Sequence, residues 1–379
     1  MQDTQRYDFL DWLRVIAIFV LLFYHAGMLF VGWGWHITNA EIIPALRVPM
    51  DIAHRLRMPL LFLIAGAGLW FALRRRSVGT VLGERTLRLL VPVIAGMFLI
   101  VPPQVYIERI AHGQWHGGYL DFYFNKVLEL QAYPTGNFSW HHLWFIVYLF
   151  VYVVLLLPLL AWWRRARPEL RPGAWIFALG VPLGINEAWL KPLYPETHAL
   201  WNDWFVFNHY LLLTLYGFLL ASTRDVWDWL AARRRPILAA ALALALGGWT
   251  LLRTGIMVPS TTFDSLYANV FTWGWLLTFL AWGRSALSFR NRLLIWARDA
   301  SYPIYILHQT VMILIAYFVI STAMSPWAKF GVVVTATLVV SALLYEYVLR
   351  RFATLRVLFG IKVHGPADLP EVSRRLAAT

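Results

Sequence analysis

Long apolar runs punctuated by short basic clusters set the plan of this chain. Stretches such as Phe145 to Leu160 and Ile237 to Leu252 are apolar on every helical face, whereas a helix on a soluble domain keeps one polar side. At about 17 to 25 apolar residues per crossing, the pattern predicts ten helices, at 9–30, 55–73, 87–106, 143–163, 174–190, 206–222, 236–252, 266–283, 301–320 and 329–349. The expected fold is all-α, a polytopic integral membrane protein. Residues 1–361 read as one transmembrane domain and 362–379 as a charged, disordered cytoplasmic tail. The first apolar run lacks a small-residue cleavage site and extends too far for a signal peptide, so it is expected to remain as the first span.

Charge orients the spans. With the N-terminus inside, 25 of the 33 Lys and Arg residues fall in segments on the inner side, leaving Arg47, Arg55, Arg57, Arg109, Lys126, Lys191, Arg253 and Lys329 on the other. Basic residues accumulate in cytoplasmic loops, so both termini are expected there. The composition agrees: 60% hydrophobic and 14% charged, against about a quarter charged in a soluble domain. The net charge of +13 comes in small clusters between spans, with no basic domain to dock a nucleic acid. Cysteine is absent, which removes both disulfides and a thiol nucleophile.

Polar groups inside apolar helices point to chemistry. Arg14 and His25 are eleven residues apart, which sets them within about 20° of one helix face and roughly 16 Å apart along the axis. That reach is comparable to an extended pantetheine arm, with Arg14 on a coenzyme A phosphate and His25 at the thioester. The plainer alternative is a snorkelling arginine and a hydrogen-bonded core histidine. Arg85 and Arg88, one turn apart, suit a phosphate or are ordinary inner-face charge. Tyr302, Tyr305 and His308 share one stripe, either as ligand contacts or as interhelical hydrogen bonds. His141, His142 and Trp144 open the fourth span, where His142 contacts a substrate or anchors at the interface. The aromatic, polar stretch from about Tyr106 to His142 either covers a sugar site or forms an interfacial belt. No helix carries His at i and i+4 with a carboxylate, so no metal is assigned.

Several of these residues fall in motifs. Leu10-Asp11-Trp12-Leu13-Arg14 followed by Tyr24-His25 resembles the opening of the acyltransferase-3 family of membrane acyltransferases. So do Phe62 to Gly66, Arg85-x-x-Arg88, His142-Leu143-Trp144-Phe145, and Ser301 to Tyr305 with His308, in the same order over nearly the whole chain. Trp35 to Glu41, Arg57-Met58-Pro59, Leu344-Tyr345-Glu346 and Leu358-Phe359-Gly360 are similar to a branch that succinylates osmoregulated periplasmic glucans. The resemblance implies a bacterial inner-membrane enzyme with His25 as catalytic base. Its donor co-substrate is acyl-coenzyme A, succinyl-CoA or acetyl-CoA, bound by Arg14, Arg85 and Arg88. Its acceptor is a hydroxyl of a periplasmic glucan or another polysaccharide. Asp11, Arg57, His142, Trp144, Tyr302, Tyr305 and His308 are the expected supporting or substrate contacts. Ala65 departs from the serine many members carry, which counts against a nucleophile there. Arg57, with Arg55 in reserve, is the candidate partner for a succinyl carboxylate; lipid-phosphate snorkelling is the alternative. Besides the bilayer, a homo-oligomer is compatible with the sequence. An exporter would share the architecture, but transporters often show inverted repeats and none is visible here.

Overall fold

The computed structural model describes residues 7–166, 168–259 and 261–361, so the expected tail at 362–379 lies outside the described residues. Helix accounts for 74% of the chain, with no strand among the described residues. The principal helices are α1 (Asp8–Met28), α2 (Arg47–Leu73), α3 (Val78–Ala111), α4 (His141–Ala166), α5 (Gly180–Leu190), α6 (Trp204–Ser222), α7 (Val226–Ala232), α8 (Arg234–Arg253), α9 (Thr262–Ala286), α10 (Arg292–Val319) and α11 (Pro326–Leu349).

Every expected span is helical, but among the described residues eight are long and apolar enough to cross a membrane. The two exceptions have local causes. The stretch expected at 174–190 divides into Trp175–Ala178 and Gly180–Leu190, where Gly180, Pro182 and Gly184 weaken a continuous helix. Its neighbour expected at 266–283 lies inside the 25-residue α9, yet buried Asn269, Thr272 and Thr278 dilute its apolar character.

Start signals follow ordinary capping chemistry. Ser325 accepts a hydrogen bond from the Ala328 amide with Pro326 in the first turn, and Thr261 accepts from Asp264. Within α3, a π turn over Thr86–Leu90 follows Val78–Arg85, and Pro102 restarts the helix after a break at Ile100 and Val101.

The chain forms two compact units. One contains residues 7–17, 55–82 and the described residues of 151–295. Its tightest crossing is α2 on α6: a Cβ on Gly217 would lie 1.8 Å from the Leu63 carbonyl oxygen, and one on Gly66 would lie 1.9 Å from that of Thr214. Only glycine allows two helix backbones this close. This unit also buries a carboxylate, Glu187, held by Lys191 at 2.6 Å and Asn269 at 2.7 Å.

The other unit contains 18–54, 83–150 and 296–361. Its core joins Ala26 of α1 and Leu29 and Phe30 in the turn after it to Ile107 of α3, Met312, Ile313 and Ala316 of α10, and Val333 and Val334 of α11. Such a core fixes the ends of α1, α3 and α10 against one another, and each of those ends carries polar side chains. The outward apolar residues of α1, Phe19 and Phe23, are exposed, as lipid-facing positions should be.

Candidate active site

His25 and His308 meet in the second unit. His25 Nδ1 lies 2.7 Å from His308 Nε2. Their ring planes are parallel within 3° and the centroids are 5.0 Å apart, so the rings lie edge to edge in one plane rather than face to face. The other nitrogen of His308, Nδ1, is 2.6 Å from the Tyr305 carbonyl oxygen. A carbonyl can only accept, so His308 Nδ1 carries the proton and its Nε2 is the acceptor. It follows that His25 donates through Nδ1, and its Nε2 is the basic nitrogen. His308 is fully buried, and Trp35 stacks over His25 with centroids 6.0 Å apart. A neutral histidine that fixes the tautomer of a second histidine, and shares its charge once that ring is protonated, is the arrangement a general base needs.

His142 belongs to a neighbouring polar network and is buried. Its Nε2 donates to the Ile306 carbonyl at 2.9 Å, and its Nδ1 is 3.4 Å from the Gln104 amide nitrogen. Gln104 also donates to Thr310 at 2.6 Å and accepts from Gln309 at 3.0 Å. From Gln309 the chain passes to His36 at 3.1 Å, and from His36 through a short hydrogen bond to Glu108, which accepts a further bond from the Tyr133 hydroxyl at 3.1 Å. The Tyr133 hydroxyl is pushed up to about 12, chiefly by burial and then by the Glu108 charge, so it stays a neutral donor. His141 stacks on His36 with centroids 5.0 Å apart and packs edge-on to Tyr133. The backbone of His141 lies in the left-handed region at φ 40°, a conformation that costs a non-glycine about 1–3 kcal/mol.

The expected residues thus divide into groups. Tyr305, Tyr302 and His308 do share a stripe of α10, and each holds a different segment. Tyr305 donates to the His142 carbonyl, and Tyr302 donates to the Arg88 carbonyl at 2.7 Å. Both tyrosine hydroxyls thus hydrogen-bond backbone carbonyls of other segments, while His308 joins His25. His142 is a buried member of the hydrogen-bond network. Arg85 ends a helical turn while Arg88 lies in the π turn, and the Arg88 Nε donates to the Gly360 carbonyl at 3.4 Å. Trp144 packs edge-on against Tyr148 at 5.4 Å.

In the first unit, Arg14 pairs with Asp11 at 3.0 Å, and its buried Nε makes no hydrogen bond among the described residues. Arg57 is buried and Arg55 exposed.

Sequence reasoning did not single out Glu108, Gln104, Gln309 or Thr310. Their signal was present, since each is a polar residue facing the interior of an apolar helix, but nothing in the spacing said that α3 and α10 face each other.

The chain thus combines helices of membrane-spanning length with a tautomer-fixed pair in which His308 is buried and His25 partly exposed. Residues 7–346 match the acyltransferase domain of the acyltransferase-3 family, and the chain belongs to that family. Among known proteins it is similar to Glucans biosynthesis protein C of Escherichia coli strain K12, 23% identical over 390 residues covering 95% of each chain. The versions from strains O81 (ED1a) and SMS-3-5 match at the same identity and coverage.

Proposed function

We propose that this protein moves a succinyl group from cytoplasmic succinyl-coenzyme A to a hydroxyl of a periplasmic glucan, with His25 as the base. The observation that carries the reaction is the His25–His308 pair. In the step envisaged, His25 Nε2 takes the hydroxyl proton as the sugar oxygen bonds to the thioester carbonyl carbon. The carbon–sulfur bond breaks, and the departing thiolate of coenzyme A receives the proton from His25. His308 accepts the Nδ1–H of the imidazolium throughout, so charge on His25 never faces a buried acceptor without a hydrogen bond.

The direction of transfer rests on the charge pattern, with ten crossings, both termini cytoplasmic and the bacterial inner membrane as the site. Coenzyme A is polyanionic and cannot cross the bilayer, so a thioester must be threaded from the inner face. Counted from residue 9, His25 lies about 24 Å along α1, well past the middle of a hydrocarbon core about 30 Å thick. The guanidinium of Arg14, paired with Asp11, suits a donor phosphate, as do those of Arg85 and Arg88 in their own unit.

The acceptor class rests on the similarity to Glucans biosynthesis protein C, which extends over 95% of each chain. The acyl class rests on Arg57, a buried guanidinium on the outer part of α2 that suits a free carboxylate.

The experiment is mass spectrometry of periplasmic glucans from cells lacking the protein and complemented with wild type or His25→Ala. Succinyl increments restored by wild type and absent with His25→Ala, at equal protein in the membrane, are expected. Acetyl increments in their place would move the reading to O-acetyl transfer, and undiminished acylation with His25→Ala would remove His25 as the base.

A further inference from the structure

Three side chains from separate segments converge apart from the histidine pair. One is His36 from the α1–α2 connection, another Glu108 near the end of α3, and the third His141 at the start of α4. One ligand atom from each lies within 4.8 Å of the others. Glu108 and His36 are buried at 4% and 9% exposure. Both ring nitrogens of His141 are buried and have no hydrogen-bond partner among the described residues. A buried imidazole with neither nitrogen satisfied is costly, and a ligand supplied between it and the other two removes the cost.

We propose that His36, Glu108 and His141 bind a divalent transition-metal ion of the zinc class. Two imidazoles and one carboxylate form a common protein donor set for zinc, and three protein ligands leave a fourth position for water or another oxygen. Calcium and magnesium prefer all-oxygen shells, so the two imidazoles select against them.

The surroundings also fit. Tetrahedral zinc places its donors roughly 3.3 Å apart, a spacing inside the 4.8 Å that bounds the three ligand atoms, and His141 can adjust to it because neither ring nitrogen makes a hydrogen bond among the described residues. Tyr133 bonds the other oxygen of Glu108 at 3.1 Å, and Gln309 meets His36 at 3.1 Å. These are the outer contacts that orient ligating carboxylates and imidazoles. Coordination through His36 Nδ1 displaces the proton now shared with Glu108, which passes by way of solvent to His36 Nε2, so the ring stays a neutral imidazole and Glu108 a carboxylate. The Gln309 amide then turns its oxygen toward the His36 Nε2–H and gives up its donation to Gln104. No such set is visible along the sequence, because the ligands are separated by 72 and 33 residues.

The proposal does not depend on which acyl group or acceptor the enzyme uses. Its test is metal binding by the full-length protein, purified in detergent through a tag free of histidine, loaded with Zn2+ or Co2+ and desalted. Elemental analysis should find close to one equivalent of zinc in wild type and in His25→Ala, and less than a tenth of that in His141→Ala and Glu108→Gln, all judged monodisperse by size exclusion. Wild type loaded with Co2+ should show the visible d–d absorption of a tetrahedral ion, bleached by added Zn2+. The proposal is overturned if wild type holds no more metal than His141→Ala, or if Co2+ gives no tetrahedral spectrum with the wild-type protein. The wild-type spectrum decides the matter even where a variant fails to fold.

Discussion

At the scale of single residues, hydrogen-bond chemistry assigns the tautomers that residue type alone left open. His25 could have been a satisfied core histidine, and so could His308. The Tyr305 carbonyl settles which nitrogen of each is basic, because it can accept but not donate. If His308 acts by accepting the Nδ1–H of His25, His308→Phe should lower kcat for acyl transfer about 10- to 100-fold, the usual cost of losing an orienting partner of a functional histidine. KM should change little, and His308→Gln, whose amide oxygen can accept the same proton, should recover part of the rate. Equal rates for the Phe and Gln variants in steady-state assays would show that His308 only fills space. Tyr305 has a different task. Removing its hydroxyl leaves the buried His142 carbonyl one donor short, so Tyr305→Phe should cost about 1–3 kcal/mol of stability. A thermal melt in detergent checks this, with the expected result a lower midpoint and a near-normal rate per folded molecule.

At the scale of elements, the close approach of α2 and α6 depends on glycine at two positions, Gly66 and Gly217. A methyl at Gly217 would lie 1.8 Å from the Leu63 oxygen, while Gly68, on the same α2, meets nothing within 4 Å. In lipid there is no hydrophobic drive to push two helices together, so this crossing rests on backbone packing that a side chain would prevent. Gly217→Ala should therefore cut the yield of monodisperse protein severalfold and lower its melting midpoint, with Gly68→Ala behaving as wild type; size exclusion of both variants reads the difference. The elements also show where apolar patterning reaches its limit. A strict hydropathy requirement passes over α9, because Asn269, Thr272 and Thr278 face the protein interior rather than lipid. Its burial is legible only once α5 is seen against it, with Gly184 of α5 letting Leu266 of α9 approach.

At the scale of the whole molecule, orientation in the membrane follows from charge rather than contacts. The absence of cysteine makes it simple to read, since any introduced thiol is the sole one. Ser77 and Thr135 are both exposed and fall on opposite sides in the expected topology. In intact spheroplasts a membrane-impermeant maleimide should label Thr135→Cys at once and Ser77→Cys only after lysis. The reverse pattern, or equal labelling of both, would overturn the inward termini and with them the direction of transfer.

Much of this protein was legible along the chain. The apolar runs dictated helices, since unpaired backbone groups in hydrocarbon leave little alternative, and the motifs carried Arg14, His25, Arg88, His142 and His308 into view. What the sequence could not supply was the pairing of residues far apart in number: His25 with His308, Tyr302 with the Arg88 backbone, Gln104 with Gln309, and the meeting of His36, Glu108 and His141. Periodicity reports which face of a helix is polar but not which neighbour that face meets. In an apolar solvent that choice is made by helix packing and by the need to satisfy every buried donor, and both are properties of the folded chain.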